Sequence, residues 1–248
     1  MKVGIIPARM GSSRFPGKPL APINGVPMIE LVMRNVSEAK DLDAVFVATC
    51  DSEIYEHVVA KGGKPIMTGS HHERASDRCA EAAQKIEAET GVRLDLVVMI
   101  QGDEPMISGS MIDQALIPFY GDETVDVVNL MAPILEQSEF ENKNTIKVVC
   151  NNNENAMFFS REPIPYGVNH GVRFKQVCVI PFRRDYLFEY TEMPPTPLEI
   201  EESIDMLRIL EHGGNIRMVK TMTQTQAVDT PDDLFKVMEL LKLSEGEG

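Results

Sequence analysis

The residues best suited to chemistry come first in the chain. Pro7-Ala8-Arg9-Met10-Gly11-Ser12-Ser13-Arg14-Phe15-Pro16-Gly17-Lys18-Pro19-Leu20 follows the apolar run Val3-Gly4-Ile5-Ile6. Glycines let backbone N–H groups approach an anion closely, and Arg9, Arg14 and Lys18 supply the opposing charge. The segment is neither a Walker A loop nor a G-x-G-x-x-G fingerprint, because neither spacing is present. A basic, glycine-containing loop after a buried strand fits a nucleoside triphosphate held mainly by its phosphates. A second pattern, Gln101-Gly102-Asp103-Glu104-Pro105, follows the apolar run Leu94 to Ile100. A carboxylate at a strand end facing a phosphate loop is a natural Mg²⁺ ligand, since that ion takes a few protein oxygens and completes its shell with phosphate. The same five residues also read as a solvated Asp-Glu turn.

These segments need a scaffold that brings strand ends together. Short apolar runs alternate with helical stretches: Val3–Ile6, a helix over Ile23–Lys40, a strand over Ala44–Thr49, a helix over Ser52–Lys61, a strand at Pro65–Met67, a helix over Ala75–Thr90 and the strand Leu94–Ile100. The alternation predicts a parallel or mostly parallel sheet covered on both faces, with ligands at the carboxyl ends of its strands. The later half predicts a hairpin, Ile146–Cys150 with Ala156–Ser160, around a polar turn. One strand over Gln176–Phe182, a helix over Leu198–His212, a strand over Ile216–Val219 and a last helix over Pro231–Leu243 follow. Asp229 or Thr230 is the expected cap of that helix. The chain reads as a single α/β domain, 1–248, with an inserted antiparallel subdomain over about 126–215.

Composition narrows the function classes. The 248 residues carry a net charge of −14, which disfavours a general nucleic-acid binder and gives local cationic clusters more meaning. Four scattered cysteines, Cys50, Cys79, Cys150 and Cys178, form no C-x-x-C pair, so free thiols in a reducing compartment are expected. No apolar run is long enough to span a bilayer, and no signal peptide is read at the start. The cytoplasm of a prokaryote is the expected location, and Ser244–Gly248 the expected frayed tail.

The opening segment resembles that of the CMP-Kdo synthetases, the 3-deoxy-manno-octulosonate cytidylyltransferases. The resemblance continues at Ile23-Asn24-Gly25-Val26-Pro27-Met28-Ile29, Gln101–Pro105, Phe159-Ser160-Arg161 and Val228-Asp229-Thr230-Pro231-Asp232-Asp233-Leu234. It spans about the whole chain. It implies a Rossmann-like three-layer nucleotide-diphospho-sugar transferase fold whose inserted antiparallel subdomain makes a homodimer contact. It also implies a Mg²⁺-dependent cytidylyltransferase that passes CMP from CTP to an acidic 2-keto-3-deoxy sugar and releases pyrophosphate, in lipopolysaccharide or capsule biosynthesis. Under that resemblance Lys18, Arg9 and Asp103 carry catalysis. Ala8, Arg9, Gly11, Ser12, Ser13, Arg14, Lys18, Arg78 and Gln101 bind the nucleotide, and Asp103 and Asp229 bind the metal. Arg14 also reads as half of a surface ion pair, Ser12 and Ser13 as helix caps, and Asp229 as an N-cap.

The acceptor half departs from the family pattern. The implied acceptor residues are Arg74, Gln101, Gln176, Glu202, Asp205 and Met206. In His72-Glu73-Arg74-Ala75-Ser76-Asp77-Arg78, which aligns with H-x-S-G-T-[DE]-R, Arg74 and Ala75 replace Ser and Gly. His72 matches, and it also reads as an ordinary loop histidine. Gln176 stands where the family has a histidine, and Asp205 and Met206 where it has Glu and Gln. A lost partner for a buried hydroxyl is costly, so these changes predict that Kdo is a poor or non-native acceptor. A non-sugar acid or a phosphonate is the alternative acceptor class, and a nucleotide-binding regulator the non-enzyme alternative.

Overall fold

The computed structural model describes residues 1–11, 15–167 and 170–246. In chain order the elements are β1 (Lys2–Ala8), β2 (Pro22–Ile23), β3 (Val26–Pro27), α1 (Met28–Val36), β4 (Ala44–Thr49), α2 (Ser52–Ala60), β5 (Pro65–Met67), α3 (Ala75–Thr90), β6 (Leu96–Ile100) and α4 (Gly109–Leu116). They continue as β7 (Val128–Pro133), α5 (Gln137–Glu141), β8 (Lys147–Cys150), β9 (Ala156–Ser160), β10 (Phe174–Val177), β11 (Val179–Arg183), α6 (Arg184–Glu192), α7 (Pro197–Glu202), α8 (Met206–Glu211), β12 (Arg217–Lys220) and α9 (Pro231–Gly246). The chain divides into two compact units, Met1–Asp113 with Gln224–Gly248, and Gln114–Thr223.

In the first unit, strands run parallel in the order β6-β1-β4-β5. Every residue of β6 is buried, and β1 is buried through Val3, Ile5 and Ile6. Strands covered on both faces are apolar throughout, which is why their sequences read as continuous runs rather than alternations. Parallel strands end on the same side, so the segments after β1 and β6 emerge together. This is the mostly parallel α/β sheet that the alternation implied.

The second unit is built on the order β12-β7-β10-β8-β9. The β7–β10, β10–β8 and β8–β9 pairs are antiparallel, and β12 joins β7 in parallel. The antiparallel insertion is therefore present. Lys147, at the start of β8, is wholly buried, and its ammonium donates to the carbonyls of Asn142 (2.9 Å), Thr145 (2.7 Å) and Arg161. Burial pulls its pKa down to about 8, against the charge of Glu162.

Four expectations about elements are corrected. The helix over Ile23–Lys40 is a β2–β3 hairpin followed by the shorter α1. Asn24 and Gly25 both have positive φ, 50° and 88°, the backbone that an Asn-Gly two-residue turn supplies. The single strand over Gln176–Phe182 is two, β10 and β11, separated at Cys178. The helix over Leu198–His212 breaks at Ser203, whose φ of 53° and ψ of 51° are left-handed, and becomes α7 and α8. The last helix continues to Gly246, through much of the segment expected as a frayed tail.

Candidate functional site

Lys18 is the centre of the arrangement. The loop after β1 returns to the sheet through a Gly17 N–H to Met10 carbonyl bond of 3.0 Å, with Gly17 at φ 76°. The Met10 N–H donates to Asp51 Oδ2 at 2.8 Å, so a carboxylate just after β4 anchors the loop. Nothing in the sequence singled out Asp51 beyond its place at a strand end. Lys18 then opens a short 3-10 turn, Lys18–Leu20.

The Lys18 ammonium donates to Asp103 Oδ2 at 2.7 Å and to the Val228 carbonyl at 2.8 Å, and it lies 3.9 Å from Asp229 Oδ1. The three side chains are 12, 23 and 20% exposed, so the cluster is sheltered yet open on one side. A second bond, Val228 N–H to the Asp103 carbonyl at 2.9 Å, clips the two segments together. Gly102 is required by the close approach of β1: a Cβ there would sit 3.1 Å from the Pro7 carbonyl. Glu104 is buried, so the segment is not a solvated Asp-Glu turn. Nor is Asp229 the cap of α9. Asp233 Oδ2 takes the Thr230 N–H at 2.9 Å while Thr230 Oγ1 takes the Asp233 N–H at 3.3 Å, so Thr230 and Asp233 cap that helix.

Two carboxylates converging on one cation are a donor set that suits Mg²⁺, which wants hard oxygen ligands and leaves room for phosphate. Asp103 and Asp229 are the residues that fit it. Arg9 is exposed, and Ala8 is the buried last residue of β1. Gly11 is exposed and Gln101 half-buried at the end of β6. Ser12, Ser13 and Arg14 lie outside the described residues.

Arg78 is the other cation of note. It is 3% exposed on α3, with Nη1 donating to Thr68 Oγ1 at 2.5 Å and to the Gly69 carbonyl at 3.3 Å. Its Nη2 is buried without a hydrogen-bond partner among the described residues. A buried guanidinium with only neutral acceptors is costly unless a ligand completes it. Arg74 is half-buried at the N-cap position of α3.

The remaining acceptor candidates lie in the second unit. Gln176 Nε2 donates to Asn129 Oδ1 at 2.6 Å, and Asn129 is in turn fixed by the Leu130 and Val177 carbonyls. Glu202 accepts from Ser160 Oγ and the Arg161 N–H, each at 2.8 Å. Asp205 is the N-cap position of α8, and its carbonyl accepts the Tyr190 hydroxyl at 3.1 Å. Met206, the first residue of α8, is 1% exposed and packed within the second unit.

A parallel α/β unit with cations and carboxylates gathered at its strand ends is the architecture of a nucleotide-phosphate enzyme. A family model described as cytidylyltransferase matches residues 3–221. The chain is 40% identical to the 3-deoxy-manno-octulosonate cytidylyltransferase of Geobacter metallireducens, covering 97% of this chain and 98% of that one. It is 38% identical to the enzyme of the same name from Fusobacterium nucleatum, covering 97% and 96%. A solved structure of CMP:2-keto-3-deoxy-manno-octonic acid synthetase complexed with CTP aligns with a TM-score of 0.88 at 38% identity, covering 98% of this chain and all of that one. A 4-diphosphocytidyl-2C-methyl-D-erythritol synthase from Anaerococcus prevotii shares the fold alone, at 14% identity and a TM-score of 0.65. The chain belongs to the cytidylyltransferase family.

Proposed function

We propose that this cytidylyltransferase transfers CMP from CTP to the anomeric hydroxyl of Kdo. The hydroxyl oxygen attacks the α-phosphorus in line, the bond to the α–β bridging oxygen breaks, pyrophosphate leaves with that oxygen, and the hydroxyl proton passes to solvent. The convergence of Lys18, Asp103 and Asp229 carries the reading, because charge grows on the phosphate oxygens as the bond breaks and a fixed cation opposes it. Mg²⁺ held by Asp103 and Asp229 would neutralise phosphate charge and acidify the attacking hydroxyl. In this reading Lys18 and Arg9 bind and orient the triphosphate. The unfilled Nη2 of Arg78 takes a nucleotide oxygen, and Gln101 stands at the junction of nucleotide and sugar.

Kdo is preferred over the other acceptor classes for two reasons. Relatives named for it match along nearly the full chain at 38–40% identity. Gln176 is also a fixed, half-buried amide able to replace an imidazole as a donor. Gln176 and Glu202 remain the acceptor residues of this proposal, with Arg74 and Asp205. The second unit is proposed as the homodimer contact, on the family resemblance alone. Among the described residues no helix is long and apolar enough to cross a membrane, which suits the proposed cytoplasmic location. Mass spectrometry of a reaction containing CTP, Mg²⁺ and Kdo tests the proposal: CMP-Kdo should form, and CTP left intact would overturn it.

A further inference from the structure

The loop between β5 and α3 gathers a second set of ligating side chains. His71, His72 and Glu81 each place one donor atom within 4.8 Å of the other two. The imidazole rings are 4.2 Å apart between centroids, tilted by 42°. His72 Nε2 already contacts Glu81 Oε2. The carboxylate is oriented by its neighbours: the Gly69 N–H donates to Oε2 at 2.9 Å, and Lys85 pairs with Oε1 at 2.7 Å while also bonding the Met67 carbonyl at 2.6 Å. Gly69 leaves the ring its place, because a Cβ there would lie 2.4 Å from His71.

We infer that His71, His72 and Glu81 form a binding site for a borderline divalent cation such as Zn²⁺ or Co²⁺, with water completing the shell. Two imidazoles and one carboxylate are a common donor set for such ions and a poor one for Mg²⁺, which prefers oxygen. Metal–ligand bonds of about 2.0–2.2 Å put donor atoms roughly 3.3 Å apart in a tetrahedron, so the three atoms must close up. The cation takes the place of the proton between His72 and Glu81, and exposed His71 has room to turn inward. Lys85, on the other carboxylate oxygen, acts as an outer partner that fixes its orientation. The ligands come from two elements, so a bound ion ties the loop to α3. That helix carries Arg78, whose Nη1 bonds Thr68 and Gly69 of the same loop. The ion therefore sets the position of a guanidinium assigned to the nucleotide.

Co²⁺ is the probe, titrated into chelator-treated full-length protein in excess Mg²⁺ and followed by its visible absorption and by calorimetry. One equivalent should bind in the parent and in Asp103→Asn. His71→Gln and Glu81→Gln should each weaken binding by about tenfold or more, and Gly69→Ala should weaken it with all ligands present. His71 is exposed, so its replacement does not threaten folding, and circular dichroism checks the other variants. No Co²⁺ binding in the parent, binding displaced by Mg²⁺, or equal affinity in parent, His71→Gln and Glu81→Gln would overturn the assignment.

Discussion

Lys18 and Asp103 are joined by a 2.7 Å ion pair across 85 residues of sequence, and the same ammonium lies 3.9 Å from Asp229. A protein cation thus stands at the focus of the two carboxylates best suited to hold a metal. In the proposed reaction, Mg²⁺ and triphosphate would exchange these partners, with Asp103 and Asp229 holding the metal and Lys18 opposing the phosphates.

Asp103→Asn is expected to lower kcat/KM by on the order of a hundredfold or more, the scale of losing one charge-stabilising group at a reacting centre. The fold should survive, because the carboxylate is partly exposed. Steady-state kinetics beside circular dichroism checks this; activity within about tenfold of the parent would remove Asp103 from the metal.

Lys18→Ala should lower kcat more than it raises KM for CTP, since the charge it meets grows during bond breaking. Loss of the half-buried ammonium also releases the Val228 carbonyl, so the α9 entry should loosen. An unchanged kcat with a raised KM would assign Lys18 to ground-state binding alone.

Arg78→Lys should raise KM for CTP by roughly tenfold to a hundredfold, the scale of a hydrogen bond from a charged group, with KM for Kdo nearly unchanged. Lysine keeps the charge but not the planar fork that bonds Thr68 while offering Nη2 to a ligand. Equal KM values for CTP would leave Arg78 as packing.

Lys147→Met should destabilise the second unit by roughly 1–3 kcal/mol, because buried carbonyls lose their donor. The loss should grow with pH. Lys147 titrates at about 8 in the folded chain and at about 10.4 when unfolded. Between those values the unfolded chain binds more protons, so this group makes the parent more stable as pH rises from 8 to about 10.4. The variant lacks that contribution. Urea unfolding of both proteins at the two ends of the window checks it; a constant difference would contradict the titration.

The sheet was legible because β1, β4, β5 and β6 are buried runs punctuated by helices, a pattern that local sequence states directly. The hairpin at Asn24-Gly25 was equally legible in principle, but the apolar residues from Met28 onward drew the helix back over it. The break at Ser203 was not. Nothing in Ser-Ile-Asp demands a left-handed residue, and the break is held by tertiary contacts. Glu199 is fully buried against Arg208, with bonds of 2.7 and 2.6 Å bridging α7 and α8. Candidate site residues at strand ends were readable for the same reason as the sheet. Asp51 and Thr68 were not, since a short polar residue after a strand looks alike whether it anchors a loop or faces water.

Pyrophosphate release with CTP, Mg²⁺ and a panel of 2-keto-3-deoxy acids separates Kdo from every competing acceptor. Release should depend on Kdo, with kcat/KM for Kdo of roughly 10⁴ M⁻¹s⁻¹ or above and no better acceptor in the panel. Release at that level with another acid while Kdo stays near background would contradict it.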